Sequence, residues 1–103
     1  MINWVDLVTS FYARVQADGR VSPTHISLYF ALLHEARNAP GFPFYLQKGR
    51  VMRLAKICSP VTVNKCLREL HEYGYIIYKP NFKPGHSMVE LPSISNPSAS
   101  TTT

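Results

Sequence analysis

The segment LAKICSPVTVNKCLRELHEYGYI, residues 54 to 76, decides how this chain is read. It holds a short helical run, an abrupt break, a second helical run and a β-rich end. Ser59 followed by Pro60 is a helix start. The hydroxyl can accept a hydrogen bond from an orphaned backbone N–H, and proline lacks an N–H that would be orphaned there anyway. Beyond this cap, Val63, Cys66, Leu67 and Leu70 recur at i, i+3, i+4 and i+7, the spacing of one buried helix face. At about 100° per residue the opposite side carries Val61, Lys65, Arg68 and Glu72, with Asn64 and Glu69 at its margins. Thr62 sits near the N-terminal end. Gly74 closes the helix at a position that favours a left-handed residue.

Upstream, residues 3 to 17 place Trp4, Leu7, Val8, Phe11, Tyr12 and Val15 at helical spacing. Asn3 is a candidate cap and Gly19 a stop. This aromatic load has a plain explanation, packing on the core, and a sharper one, a dimer contact. A second helix opens with Ser22 as cap and Pro23 at its first position. Ile26, Tyr29, Phe30 and Leu33 form its stripe, widened by Leu28 and Leu32, so it reads as the central helix. Asn38-Ala39-Pro40-Gly41 ends it. Phe44 to Gln47 reads as a short strand. The run from Gly49 then gives a short helix with Val51, Leu54 and Ala55 inward and Arg50, Arg53 and Lys56 outside.

Downstream, Tyr75 to Lys79 and His86 to Leu91 are β-rich runs separated by turn chemistry that includes Lys83, a hairpin with a basic tip. After Pro92 the chain has no core-forming pattern. Residues 1 to 92 are therefore expected to form one domain, and residues 93 to 103 a disordered tail. The expected fold is mainly α with a small β-hairpin wing. Helix–break–helix followed by a two-stranded hairpin is the order of a winged helix-turn-helix, here with a three-helix core and an extra N-terminal helix.

The charge is uneven. The 103 residues carry a net +5, yet residues 48 to 83 alone carry +6, eight basic side chains against Glu69 and Glu72. The remainder is −1. A local basic block points to a polyanionic partner, most often nucleic acid. The blander alternative is a solvated basic surface.

The final LRELHEYGYI resembles the end of a winged-helix recognition helix entering its wing, and RLAKI resembles the positioning helix before it. That resemblance covers about residues 22 to 91. The longer stretch MRLAKICSPVTVNKCLRELHEYGYIIY is similar to a family of small winged-helix proteins encoded on bacterial conjugative and integrated mobile elements. The segment VSPTHISLYFAL matches the SPxHISLYxAL-like segment of the same family. Its members are described as transcriptional regulators or replication-associated factors. The resemblance implies DNA binding in the regulation of transcription, recombination or replication of a mobile element. In one respect the chain departs from the general pattern. Its connection KIC between the two helices is tighter than usual and contains no glycine.

A helix that enters the major groove does so by its N-terminal part. The candidate contacts are Ser59, Val61, Thr62, Asn64, Lys65 and Arg68. Arg68 or Lys65 can donate to guanine or phosphate. Asn64 can make a paired contact with adenine, Thr62 can bond a phosphate, and Val61 can touch a thymine methyl. The Ser59 cap lies at a helix N-terminus, itself suited to phosphate. Lys48, Arg50, Arg53 and Lys56 would lie along the backbone, with Lys79, Lys83 and His86 carried by the wing. Each of these could equally be a solvated surface side chain.

Other classes have little support. His34-Glu35 and His71-Glu72 do not extend to a metalloprotease motif, and there is no glycine-rich phosphate loop, so neither an enzyme nor a small-molecule substrate is expected. Cys58, Cys66 and His71 lack zinc spacing. The two cysteines read instead as buried or half-buried thiols in a reducing compartment, with no cofactor or metal. There is no apolar run of membrane-spanning length and no secretory signal, so a cytoplasmic protein is expected. The expected partner is double-stranded DNA, with a homodimer through the N-terminal helix. The competing reading is a winged helix used for protein contacts in a replication or DNA-transfer complex.

Overall fold

A computed structural model describes residues 4–39, 43–83 and 85–91. Asn3 as a cap, the Pro40-Gly41 stop and the tail from residue 93 lie outside the described residues. Among the described residues, four helices and a small sheet form the architecture: α1 (Trp4–Gln16), α2 (Pro23–Asn38), β1 (Phe44–Tyr45), α3 (Lys48–Ala55), α4 (Pro60–Glu72), β2 (Ile77–Lys79) and β3 (Met88–Glu90). The fold is a winged helix-turn-helix with one added N-terminal helix.

The central helix is α2, as its sequence suggests, and it packs against both α3 and α4. Its cap is a reciprocal pair. Ser22 Oγ accepts from the His25 backbone N–H, and the Ser22 N–H donates back to His25 Nδ1 at 2.9 Å. Leu28, Tyr29 and Leu32 are fully buried, while Ile26 and Phe30 are only half-buried. The buried stripe thus joins Tyr29 and Leu33 of the expected line to Leu28 and Leu32 from its margin.

Most of the apolar face of α1 is spent on this same core, although Tyr12 stays 40 % exposed at its edge. Leu7 and Phe11 are buried, and Trp4, Val8 and Val15 pack against the cluster. Phe11 stacks on Tyr29 with ring centroids 3.8 Å apart and meets Tyr75 edge-on at 5.5 Å. Most of the stripe that suggested a dimer therefore has its partner within the chain.

The three strands form one antiparallel sheet in the order β1-β3-β2. Phe44 sits opposite Val89, and Val89 opposite Tyr78, and all three are buried. The hairpin thus acquires a third strand, shorter than the Phe44 to Gln47 run. Leu46 continues past the strand by donating its N–H to the Ser87 carbonyl at 2.7 Å. Tyr75 and Ile76 precede β2 and enter the core directly. No helix among the described residues is long and apolar enough to cross a membrane.

In α4 the expected line Val63, Cys66, Leu67 and Leu70 is buried. Two expectations nearby need correction. Leu54 is 43 % exposed, because it lies about a quarter turn from the line of Val51 and Ala55 that faces α2. Cys58 is exposed, because the connector runs over the surface and Ile57 takes the inward position.

A polar cluster fastens α1 to the end of α4. Arg14 donates to the carbonyls of Tyr73 (3.0 Å) and Gly74 (3.2 Å), and its guanidinium lies over the Tyr75 ring at 4.1 Å. These carbonyls close the negative end of α4, where a cation is favoured. The Tyr75 hydroxyl donates to Asp18 Oδ2 at 2.9 Å. Asp18 is gripped by Arg20 through two side-chain bonds of 2.8 Å, and Arg20 lies over the Tyr73 ring at 4.1 Å.

Two measurements test this packing. Leu67 is fully buried, so Leu67→Ala is expected to cost about 2 to 5 kcal/mol in urea unfolding. A loss below about half a kcal/mol would place Leu67 outside the core. The second concerns acid. The Arg20 side chain, with help from the backbone N–H of Arg20 and the Tyr75 hydroxyl, holds the Asp18 carboxyl well below the usual carboxylate range. A carboxyl depressed in the folded state stabilises above its unfolded pKa, near 4, and loses that contribution as pH falls through the folded value. The urea midpoints of the parent and Asp18→Asn are therefore expected to differ by a constant amount above about pH 4, and the gap should begin to close only below that, shrinking as pH falls toward the depressed folded value. A difference independent of pH would remove the ion pair as its cause.

Candidate nucleic-acid interface

Folding sorts the basic block into used and unused charges. Arg50 Nη2 lies 3.1 Å from Glu35 Oε2, and Glu35 is buried in α2. That arginine neutralises a core carboxylate, although its own side chain stays half exposed. Lys48, Arg53, Lys56, Lys65, Arg68, Lys79 and Lys83 form no ion pair with any described residue. All except half-buried Lys48 are exposed. They are distributed over α3, the turn after it, the outer face of α4, and the wing.

The exposed line of α4 runs Val61, Lys65, Arg68, Glu72. Val61 is 77 % exposed, unusual for valine, at the N-terminal end of the helix. Ser59 Oγ accepts from the Thr62 N–H at 3.2 Å, so the Ser-Pro cap forms as expected. Thr62 is half-buried beside it. Asn64 is less available than the sequence suggests. It is half-buried, and its Oδ1 is shielded from solvent with no hydrogen-bond partner. A paired contact with adenine would require this side chain to rotate.

Two left-handed residues set the ends of the helix-turn-helix. Gly74 (φ 87°) closes α4, with the Gly74 N–H donating to the His71 carbonyl and the Tyr75 N–H to the Leu70 carbonyl. The same pattern closes α3. The Lys56 N–H donates to the Arg53 carbonyl and the Ile57 N–H to the Met52 carbonyl, but the left-handed residue is a lysine, φ 61°. The tight glycine-free connection is therefore made by bending at Lys56. Ser27 Oγ donates to the Ala55 carbonyl and satisfies the freed end of α3.

A buried lock ties α4 to the start of α2. His25 Nδ1 accepts the Ser22 amide hydrogen, so the ring proton lies on Nε2, which donates to Glu69 Oε1 at 2.8 Å. Cys66 completes a group of three potential metal ligands within 4.8 Å of one another. Burial, reinforced by Glu69, pushes the Cys66 thiol pKa up and keeps it protonated. An ion bound here would have to displace both the thiol proton and the imidazole proton. It would also deprive the Ser22 amide of its acceptor if the proton moved to Nδ1. The donor set fits a hydrogen-bonded lock better than a metal centre. At the far end of α4, His71 Nδ1 accepts the Tyr78 N–H at 3.0 Å and joins the helix to the wing.

In the wing, Lys79 stands opposite Met88, and Lys83 lies in the turn. Tyr45 and His86 meet edge to face at 5.8 Å. Sequence reasoning overlooked Phe82, which protrudes from this turn. Its position between Asn81 and Lys83 in a polar loop was the available signal.

Lys56→Gly should separate geometry from charge. The left-handed backbone costs a non-glycine residue about 1 to 2 kcal/mol, and the freer unfolded chain offsets roughly half of that. We expect a stability gain of up to about 1 kcal/mol, read as a higher urea midpoint at unchanged slope. A loss of stability would show that the lysine stem contributes packing. Compared with known proteins, the chain matches no family model, no curated protein and no solved structure.

Proposed function

We propose that this chain binds double-stranded DNA as a winged helix, with the N-terminal half of α4 in the major groove and the β2–β3 wing beside it. The observation that carries this reading is the sorting of charge. Asp18 and Glu35 are paired with Arg20 and Arg50, and Glu69 accepts a hydrogen bond from His25, while seven basic side chains from α3 through the wing have no carboxylate partner among the described residues. Such a surface lowers its own electrostatic cost by meeting phosphates. Arg53 and Lys56 would fix register on the backbone, Lys65 and Arg68 would reach the groove, and Val61 offers an apolar contact for a thymine methyl. With the sequence resemblance described above, this supports a regulator of transcription, recombination or replication on a mobile element.

The second reading is a protein-contact module. Exposed Leu54 and Val61 favour it, since apolar side chains among basic ones also suit an acidic protein surface. Selection of bound fragments from a random duplex pool, followed by a salt series, distinguishes the two. DNA binding must weaken steeply with salt in proportion to the phosphates engaged.

Two variants separate affinity from specificity. Arg68→Ala is expected to cost roughly 1 to 3 kcal/mol on the selected site and to relax preference at one position. Lys83→Ala should weaken binding to all duplexes alike and reduce the salt slope by about one. If both variants bind like the parent across the series, the basic surface is only solvated and the protein-contact reading takes precedence.

A further inference from the structure

Phe82 is 105 % exposed, more than the same side chain in an open peptide. It is nevertheless held on an ordered apex. Asn81 Oδ1 accepts the Lys83 N–H at 2.9 Å, which closes a side-chain turn around Phe82. The Asn81 N–H donates to Ser87 Oγ at 3.0 Å, and the His86 N–H donates to the Lys83 carbonyl at 3.1 Å. Gly85 takes a left-handed backbone (φ 81°) that lets the turn return toward β3. The ring is thus presented on a braced loop rather than on a free end.

Its surroundings define the partner it fits. Lys83 is adjacent and Lys79 ends β2, and neither forms an ion pair with a described residue. Glu90 is the acid of the sheet. It lies at the base of the wing, opposite Ile77, away from the turn. An aromatic face between unpaired cations matches a polyanion that also offers apolar, stackable surfaces. Duplex DNA has both. Phe82 lies three residues beyond the last paired position, Lys79 opposite Met88, which allows a reach of up to about 10 Å. The minor groove is about 7.5 Å deep.

We propose that Phe82 is a wedge that inserts from the minor groove between adjacent base pairs, partly unstacks them and bends the duplex, while Lys79 and Lys83 hold the flanking phosphates. The proposal rests on the DNA-binding reading above and adds a site of deformation to it. Wedges act most easily at pyrimidine–purine steps, whose stacking is weakest, so the wing would favour DNA containing such a step.

The probe is an alternating d(AT) duplex in which occasional adenines are replaced by 2-aminopurine, a base that brightens when unstacked. The full chain should raise its fluorescence on binding. Phe82→Ala should bind about ten- to a hundredfold more weakly at an unchanged salt slope and should abolish the rise. Phe82→Leu should keep part of both effects. Lys83→Ala should lower the salt slope and keep the rise. Phe82 touches no core residue, so loss of folding should not confuse the result, and an unchanged urea midpoint will verify this. If Phe82→Ala binds and brightens the duplex like the parent, the wedge is wrong and the DNA-binding reading stands. Binding by the parent without any rise also overturns the wedge. A parent that binds no duplex at low salt overturns both.

Discussion

The burial of Val63, Cys66, Leu67 and Leu70 against α2 is the contact on which the rest of the molecule depends. Three of these side chains are fully buried, and α2 in turn holds α3. At about 1.5 to 3 kcal/mol for each large side chain, this one face is comparable with the whole net stability of a small domain. It also fixes the rotation of α4 about its axis. Once these four residues face inward, Val61, Lys65 and Arg68 have only the outward direction left. Core packing and the aim of the basic side chains are therefore one constraint.

Polar contacts then fix what apolar packing leaves loose, namely the position of α4 along its own axis. Glu69 is held by His25 from the start of α2, and the C-terminal carbonyls are held by Arg14 from α1. Tyr75 and Asp18 join the same cluster. These contacts have an electrostatic consequence. Asp18 and Glu35 are paired with arginines and Glu69 is hydrogen-bonded to His25, while seven basic side chains between α3 and the wing form no ion pair with a described residue. α1 braces the end of α4 through Arg14.

The strained backbone position falls on the stretch from α3 to the wing, which shares the exposed apolar side chains with Val5 and Tyr12 of α1 and Tyr45 of β1. Lys56 takes a left-handed turn that glycine would adopt more easily, and Leu54, Val61 and Phe82 leave apolar surface in water. Each is tolerable alone, since single exposed apolar residues are common.

Helical spacing and cap chemistry were legible in the sequence because both are local. Ser22-Pro23 and Ser59-Pro60 begin helices, Gly74 ends one, and the i, i+3, i+4, i+7 line of α4 is buried, all as residue type and spacing require. The order of elements and the basic block between residues 48 and 83 were equally plain. The tertiary structure decided whatever depends on neighbours distant in sequence. Leu54 turned outward because α2 meets the line of Val51 and Ala55. The pairing of β1 with β3 brought residues 44 and 89 together. Arg50 was withdrawn from the free basic set by Glu35, and Arg14, Asp18 and His25 acquired partners more than forty residues away. Charge and hydrophobicity belong to single residues and can be counted along a chain. Whether a charge is already matched, or an aromatic ring already covered, depends on which surfaces meet, and only the folded arrangement fixes that.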